Sequence, residues 1–179
     1  MRFAGLLILA GSIAGCARHA LPDMRPLTGV VRFQSRQAPI RFVYPANWHP
    51  VPDDTILTLL PDAESSIGLH TLAIDQPDLP PHIPGLIPLV FVVHGFVNDL
   101  KSRYKEVVVQ SVVDRTADGA NGSVVHATAQ RPAGQVVVTA FLCVHGNSVY
   151  VVDAETDPQG VAQATAAFNT VVDSIQWTD

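Results

Sequence analysis

Residues 135–154 read QVVVTAFLCVH, then GN, then SVYVVDA. Gly146-Asn147 joins two apolar runs and has the composition of a two-residue hairpin turn, with Gly supplying the positive φ of a type II′ turn. Such a turn sets a register in which His145 faces Ser148, Val144 faces Val149, Cys143 faces Tyr150, Leu142 faces Val151 and Phe141 faces Val152. Alternate pairs point to opposite faces of a sheet. Val144/Val149 and Leu142/Val151 therefore share one face, and Cys143/Tyr150 and Phe141/Val152 share the other. Both faces are apolar, so both require cover, which argues against an open antiparallel sheet with one wet side. The expected fold class is α/β of the α+β kind, an antiparallel β-sheet sandwiched between helices.

The chain supplies two candidate covers. Asp157 is placed to N-cap a helix whose first position is Pro158, and Val161, Ala164, Phe168, Val171, Val172 and Ile175 follow at the helical period. Upstream, Leu89, Val93, Phe96, Val97, Leu100 and Tyr104 fall on one helical stripe within residues 86–104. The β-branched run LVFVV there also suits a strand. A helix is read because the doubly apolar sheet needs a second cover, although Gly95 costs such a helix about 1 kcal/mol relative to Ala. Short strands are expected at Val30–Gln34, Ile40–Tyr44, Thr55–Leu60 and Ile67–Ile74. A hairpin is expected from Val107–Thr116 and Ser123–Gln130 around ADGANG, and Arg131-Pro132-Ala133-Gly134 fits a type I turn. Residues 75–88 hold five prolines and read as an extended loop.

At 179 residues with 47% hydrophobic and 15% charged residues, the chain is long and apolar enough for one packed domain. Eleven Lys+Arg against sixteen Asp+Glu leave a net charge of −5. With no aromatic-basic patch, a nucleic-acid partner has no electrostatic footprint.

Met1-Arg2 forms a short positive n-region, and Phe3–Ile13 is an apolar run too short to span a bilayer. It ends in Ile13-Ala14-Gly15-Cys16. This resembles the bacterial lipoprotein signal with its lipobox, which implies lipidation of Cys16, cleavage before it, and acylation of the new N-terminus, palmitate being the expected chain. Two or more acyl chains matter, because one binds a membrane only marginally. The expected organisation is a leader over 1–15, a polar, Pro-punctuated tether over 16–28 and a domain over 29–179, held by its lipid to the extracytoplasmic or periplasmic face of the cell envelope. With Cys16 acylated, Cys143 has no disulfide partner within the chain and behaves as a small hydrophobe on its strand.

The element order, together with Phe42-Val43-Tyr44-Pro45-Ala46-Asn47-Trp48 and Ser174-Ile175-Gln176-Trp177, resembles the PsbP-like superfamily. That group includes the extrinsic P subunit of photosystem II, Mog-type nuclear import factors and DcrB-like envelope lipoproteins. The resemblance spans about residues 29–177, and it implies a sheet between helices and a non-catalytic role as a binding or assembly factor. It carries no metal or partner residue with it.

Pro88–Phe96 (PLVFVVHGF) looks like the strand and oxyanion loop of an α/β-hydrolase, but the chain has no Gly-x-Ser-x-Gly and no His after His145. No enzyme is expected. Seven histidines are scattered without the short-spaced pair that a zinc site uses, and Asp53-Asp54 and Asp62/Glu64 lack the EF-hand pattern, so no metal and no cofactor is expected. Trp48 and Trp177 each suit a plug at an end of the sandwich. Alternatively, Trp48 edges a groove rimmed by the Pro-rich loop, with Leu79, His82 and Ile83 as its contact residues. Two function classes follow: an anchored protein-binding or assembly factor, with its protein partner unknown, or a small-ligand carrier with a pocket between the sheet and the 86–104 helix.

Overall fold

The computed structural model describes residues 29–51, 56–62, 70–77 and 87–178. Within them the strands are β1 (Val30–Gln34), β2 (Ile40–Pro45), β3 (Trp48–Val51), β4 (Leu57–Pro61), β5 (His70–Asp75), β6 (Lys105–Ala117), β7 (Ala120–Arg131), β8 (Gly134–His145), β9 (Ser148–Thr156) and β10 (Gln176–Trp177). The helices are α1 (Leu89–Arg103) and α2 (Val161–Ser174). All strand pairs are antiparallel. A seven-stranded sheet runs β3-β4-β5-β9-β8-β7-β6 and a three-stranded one runs β1-β2-β10.

The β8–β9 hairpin has the expected register, from His145↔Ser148 to Phe141↔Val152, and Gly146 takes φ +58°. Its two apolar faces meet different partners. Phe141, Cys143, Tyr150 and Val152 join Ala164, Ala167, Phe168, Val171 and Val172 of α2 in the larger core, which Ile40, Phe42 and Tyr44 of the small sheet close from the far side. Leu142 packs with Val93, Val125 and Ala140, with Val92, Phe96, Val97 and Val151 around them, and Leu100 joins Ala127, Ala129, Val136 and Val138. Within the 86–104 segment, Leu89–Arg103 is therefore a helix, and it covers the face opposite α2. Its choice over a strand follows from that cover, since Val93 and Leu100 are buried while Val90 and Phe91 point outward.

Three local expectations are corrected. The β6–β7 connection is a two-residue turn, with Ala117 pairing Ala120, where a six-residue loop was expected. Asp118 (φ +45°) and Gly119 (φ +80°) both take the positive φ that a type I′ hairpin requires. β3 was not among the expected strands; it contains Pro50, which is tolerated because β3 is an edge strand. Asp157 precedes a 3₁₀ turn at Pro158–Gly160, but its side chain makes no capping bond. Its carboxylate instead accepts a hydrogen bond from Arg131 at the end of β7.

Candidate binding surface

Among the described residues, β6 is the long edge strand of the larger sheet. Its sequence, KEVVVQSVVDRTA, would alternate in a regular strand, but the register shifts between Lys105 and Val108 and again between Val109 and Ser111. The second shift reverses which parity faces which layer. Val112 pairs Val125 and Val109 pairs Ala127 on the α1 side, whereas Val113 pairs Val124 on the α2 side. Neither helix reaches far enough to cover them. Val108, Val109, Val112 and Val113 stand 57%, 38%, 48% and 55% exposed. An edge strand also presents unpaired backbone N–H and C=O groups, which natural sheets ordinarily blunt with charge, Pro or bulges. Here the bulge is present, while the side chains at the centre are β-branched and apolar.

The far end of β6 is tied down. Arg115 reaches across to α2, where its guanidinium donates to Asn169 Oδ1 at 3.0 Å and Asp173 Oδ1 at 2.5 Å. Trp177 closes the same end: its Nε1 donates to the Ala117 carbonyl at 3.2 Å, and its ring stacks on His145 with centroids 4.1 Å apart. Trp177 is thus an end plug. An open hollow of about 520 Å³ lies beside this end, lined by Ile87, Leu89, Asp118, Asn121, Val144 and His145.

At the other end of α1, Glu155 is nearly buried and takes hydrogen bonds from Arg103 Nη1 at 2.5 Å and from the Tyr104 hydroxyl. Arg103 also bonds Asp99 at 2.8 Å. Desolvation and Glu155 push the Tyr104 phenol up to about 12. Desolvation and the charge of Glu155 push Asp153 up to about 7. Every donor in this cluster faces a protein carboxylate, so it acts as a tie between α1 and β9.

Trp48 is 2% exposed in the larger core, and its indole N–H has no hydrogen-bond partner among the described residues. It therefore does not edge an outer groove. Leu79, His82 and Ile83, like Cys16, lie outside the described residues. Burial pushes the Cys143 thiol up to about 12, as for an unreactive core thiol. His126 faces Thr139 at 3.3 Å while His145 is stacked on Trp177, so these two histidines are not brought together. Among the described residues no group of three metal-ligating side chains occurs, and no helix is long and apolar enough to cross a membrane. The β6 edge was missed by sequence reasoning, because its valines were read only as one strand of a hairpin and its place in the sheet order was not considered. Their run of three and then two, broken by Gln110-Ser111, was the available sign of a bulge.

Neither a protein-family model nor a characterised protein sequence matches the chain. Solved structures do. The cyanobacterial PsbP (CyanoP) of Synechocystis sp. PCC 6803 superposes with a TM-score of 0.63 at 15% identity, over 93% of this chain and 99% of that one. LpqN of Mycobacterium tuberculosis, described as involved in cell envelope biogenesis, superposes with a TM-score of 0.58 at 12% identity, over 84% of this chain and 91% of that one. The fold is PsbP-like.

Proposed function

We propose that this PsbP-like chain is a membrane-anchored cell-envelope lipoprotein that acts without catalysis as a protein-binding or assembly factor. The observation that carries the binding half is the β6 edge. An incoming strand would add its main-chain hydrogen bonds there, and the valines on both faces would take its alternate side chains. The anchor half rests on Ile13-Ala14-Gly15-Cys16, and the part that LpqN plays in envelope biogenesis supports the compartment. A small-ligand carrier would need a cavity between the sheet and α1. Val93, Leu100, Ala127, Val138, Ala140 and Leu142 fill that layer, which supports protein binding instead. Leu79, His82 and Ile83 enter the proposal as a second contact.

The test places a photo-crosslinking residue at Val112 in cells expressing the full chain, with the same residue at exposed Gln159 as control. A discrete product from Val112, absent from Gln159 and lost on adding Val109→Lys, is expected. Equal labelling from both positions would remove the edge as the contact. Exchanging Leu79–Pro84 for a Gly/Ser linker tests the second contact by the same product.

A further inference from the structure

The excess of positive over negative charge in this chain lies before residue 50. Between residues 17 and 50 stand Arg18, Arg25, Arg32, Arg36 and Arg41 against Asp23 alone. All the rest of the sixteen Asp+Glu lie after residue 50, opposed only by Lys101, Arg103, Lys105, Arg115 and Arg131. The structure sharpens this division. Arg103, Arg115 and Arg131 are each paired with a carboxylate: Glu155 and Asp99, Asp173, and Asp157 respectively. Arg32, Arg36 and Arg41 have no ion pair among the described residues.

Arg32 and Arg41 belong to the small sheet and Arg36 to the turn between its first two strands. Ile40, Phe42 and Tyr44 turn inward to the core, so Arg41 and Val43 turn outward, and the register sets Arg32 opposite Val43 and Gln34 and Gln176 opposite Arg41. Arg36 stands exposed in the β1–β2 turn. Arg41 Nε donates to Gln176 Oε1 at 2.8 Å, across the β2–β10 pair. A shallow hollow of about 560 Å³ lies over this face, lined by Arg32, Gln34, Arg41, Val43, Ser174 and Gln176. β1, β2, β10 and the turn between β1 and β2 contain no acid. Among the described residues near this end, Asp118 accepts from the Trp177 backbone N–H and Asp173 pairs with Arg115.

We infer that the outer face of the β1-β2-β10 sheet is a docking surface for anionic phospholipid, and that it holds the domain against the bilayer with its acidic remainder turned away. The inference rests on the lipoprotein reading for its geometry. Val30 opens β1 only fourteen positions after Cys16, and that length of chain spans at most about 50 Å. Arg32 thus lies on the first strand after the anchor, with Arg36 in the turn that follows and Arg41 on β2. Guanidinium groups bind phosphate in bidentate fashion, and cations beside an anionic leaflet are each favoured about fivefold. The carboxylates elsewhere are repelled by the same field.

The test uses the acylated chain purified from membranes and reconstituted in vesicles of phosphatidylglycerol and phosphatidylethanolamine, or of phosphatidylcholine alone. A fluorophore on Gln34→Cys reads contact with headgroup-quencher lipid. Strong quenching is expected in the anionic vesicles, falling with added salt and weak in phosphatidylcholine. Arg32→Gln/Arg36→Gln/Arg41→Gln should shift the docked-to-undocked ratio on the order of 100-fold, while Lys101→Gln/Lys105→Gln should leave it in place. Circular dichroism checks that each variant is folded. Equal quenching in both lipids, or equal loss from the lysine variant, overturns the inference. So does salt-independent contact, which would point to a protein or apolar contact instead. If the purified chain carries no acyl group, the lipoprotein reading fails, and adding that chain to the same vesicles still reads the arginine face through salt-sensitive binding. Absence of that binding overturns the inference on its own.

Discussion

A Cβ at Gly122 would lie 2.5 Å from Phe141 Cε2 and 2.6 Å from the Leu142 carbonyl oxygen. The ring of Phe141 is fully buried against α2 and cannot swing aside freely. Gly122→Ala should therefore cost about 1–3 kcal/mol by overpacking, read as a lower urea midpoint at unchanged slope; an unmoved midpoint would mean that the ring relaxes without strain. Asp153 gives a prediction in pH. Desolvation and Glu155 lift it to about 7, with Asp75 and Asp99 adding to the effect and Arg103 opposing it, whereas an unfolded aspartate titrates near about 3.9. The folded state thus holds the proton more tightly, and stability is lost as pH rises from about 4 to 7, then levels off. Asp153→Asn should be more stable than the parent at pH 8, with the gap closing toward pH 4. Equal midpoints at pH 8 would contradict the shift.

Among the elements, the β8–β9 hairpin was the most legible, because a two-residue Gly-Asn turn allows one register and that register makes both faces apolar. The need for cover then identified α1, whose own local sequence was ambiguous between helix and strand. What stayed hidden depended on contacts between distant residues. Asp157-Pro158 has the composition of a helix start, yet Arg131, brought alongside by the β7–β8 ladder, takes the carboxylate. A double-mutant cycle separates the two roles. Asp157→Ala and Arg131→Gln should show a coupling of about 0.5–3 kcal/mol, whereas a capping role would leave the cost of Asp157→Ala unchanged in the Arg131→Gln background. Trp48 was weighed as a groove edge and is core, because β3 pairs it beside Pro61 and turns it inward. The exposed valines of β6 were hidden for the opposite reason: a bulge, and the limited reach of two helices, leave an apolar strand outside.

On the scale of the whole molecule, each sheet has a distinct surface. Among the described residues, the small sheet presents Arg32 and Arg41 without an ion pair, and the large one presents an apolar edge at β6. A lipid anchor on Cys16 would give the two surfaces separate tasks, one toward the bilayer and one toward a protein partner. The sequence made the PsbP-like order of elements readable. The β6 edge became visible only with the sheet order in place, because being an edge is a property of topology. The anchor is the claim on which the account turns, and the mass of the N-terminal peptide of the chain recovered from membranes tests it most directly. The account predicts a peptide that begins at Cys16 and carries a diacylglyceryl group on sulfur and a fatty acyl group on its amine, with Cys16→Ser abolishing both. A peptide that still begins at Met1, or one that begins at an unmodified Cys16, would contradict it.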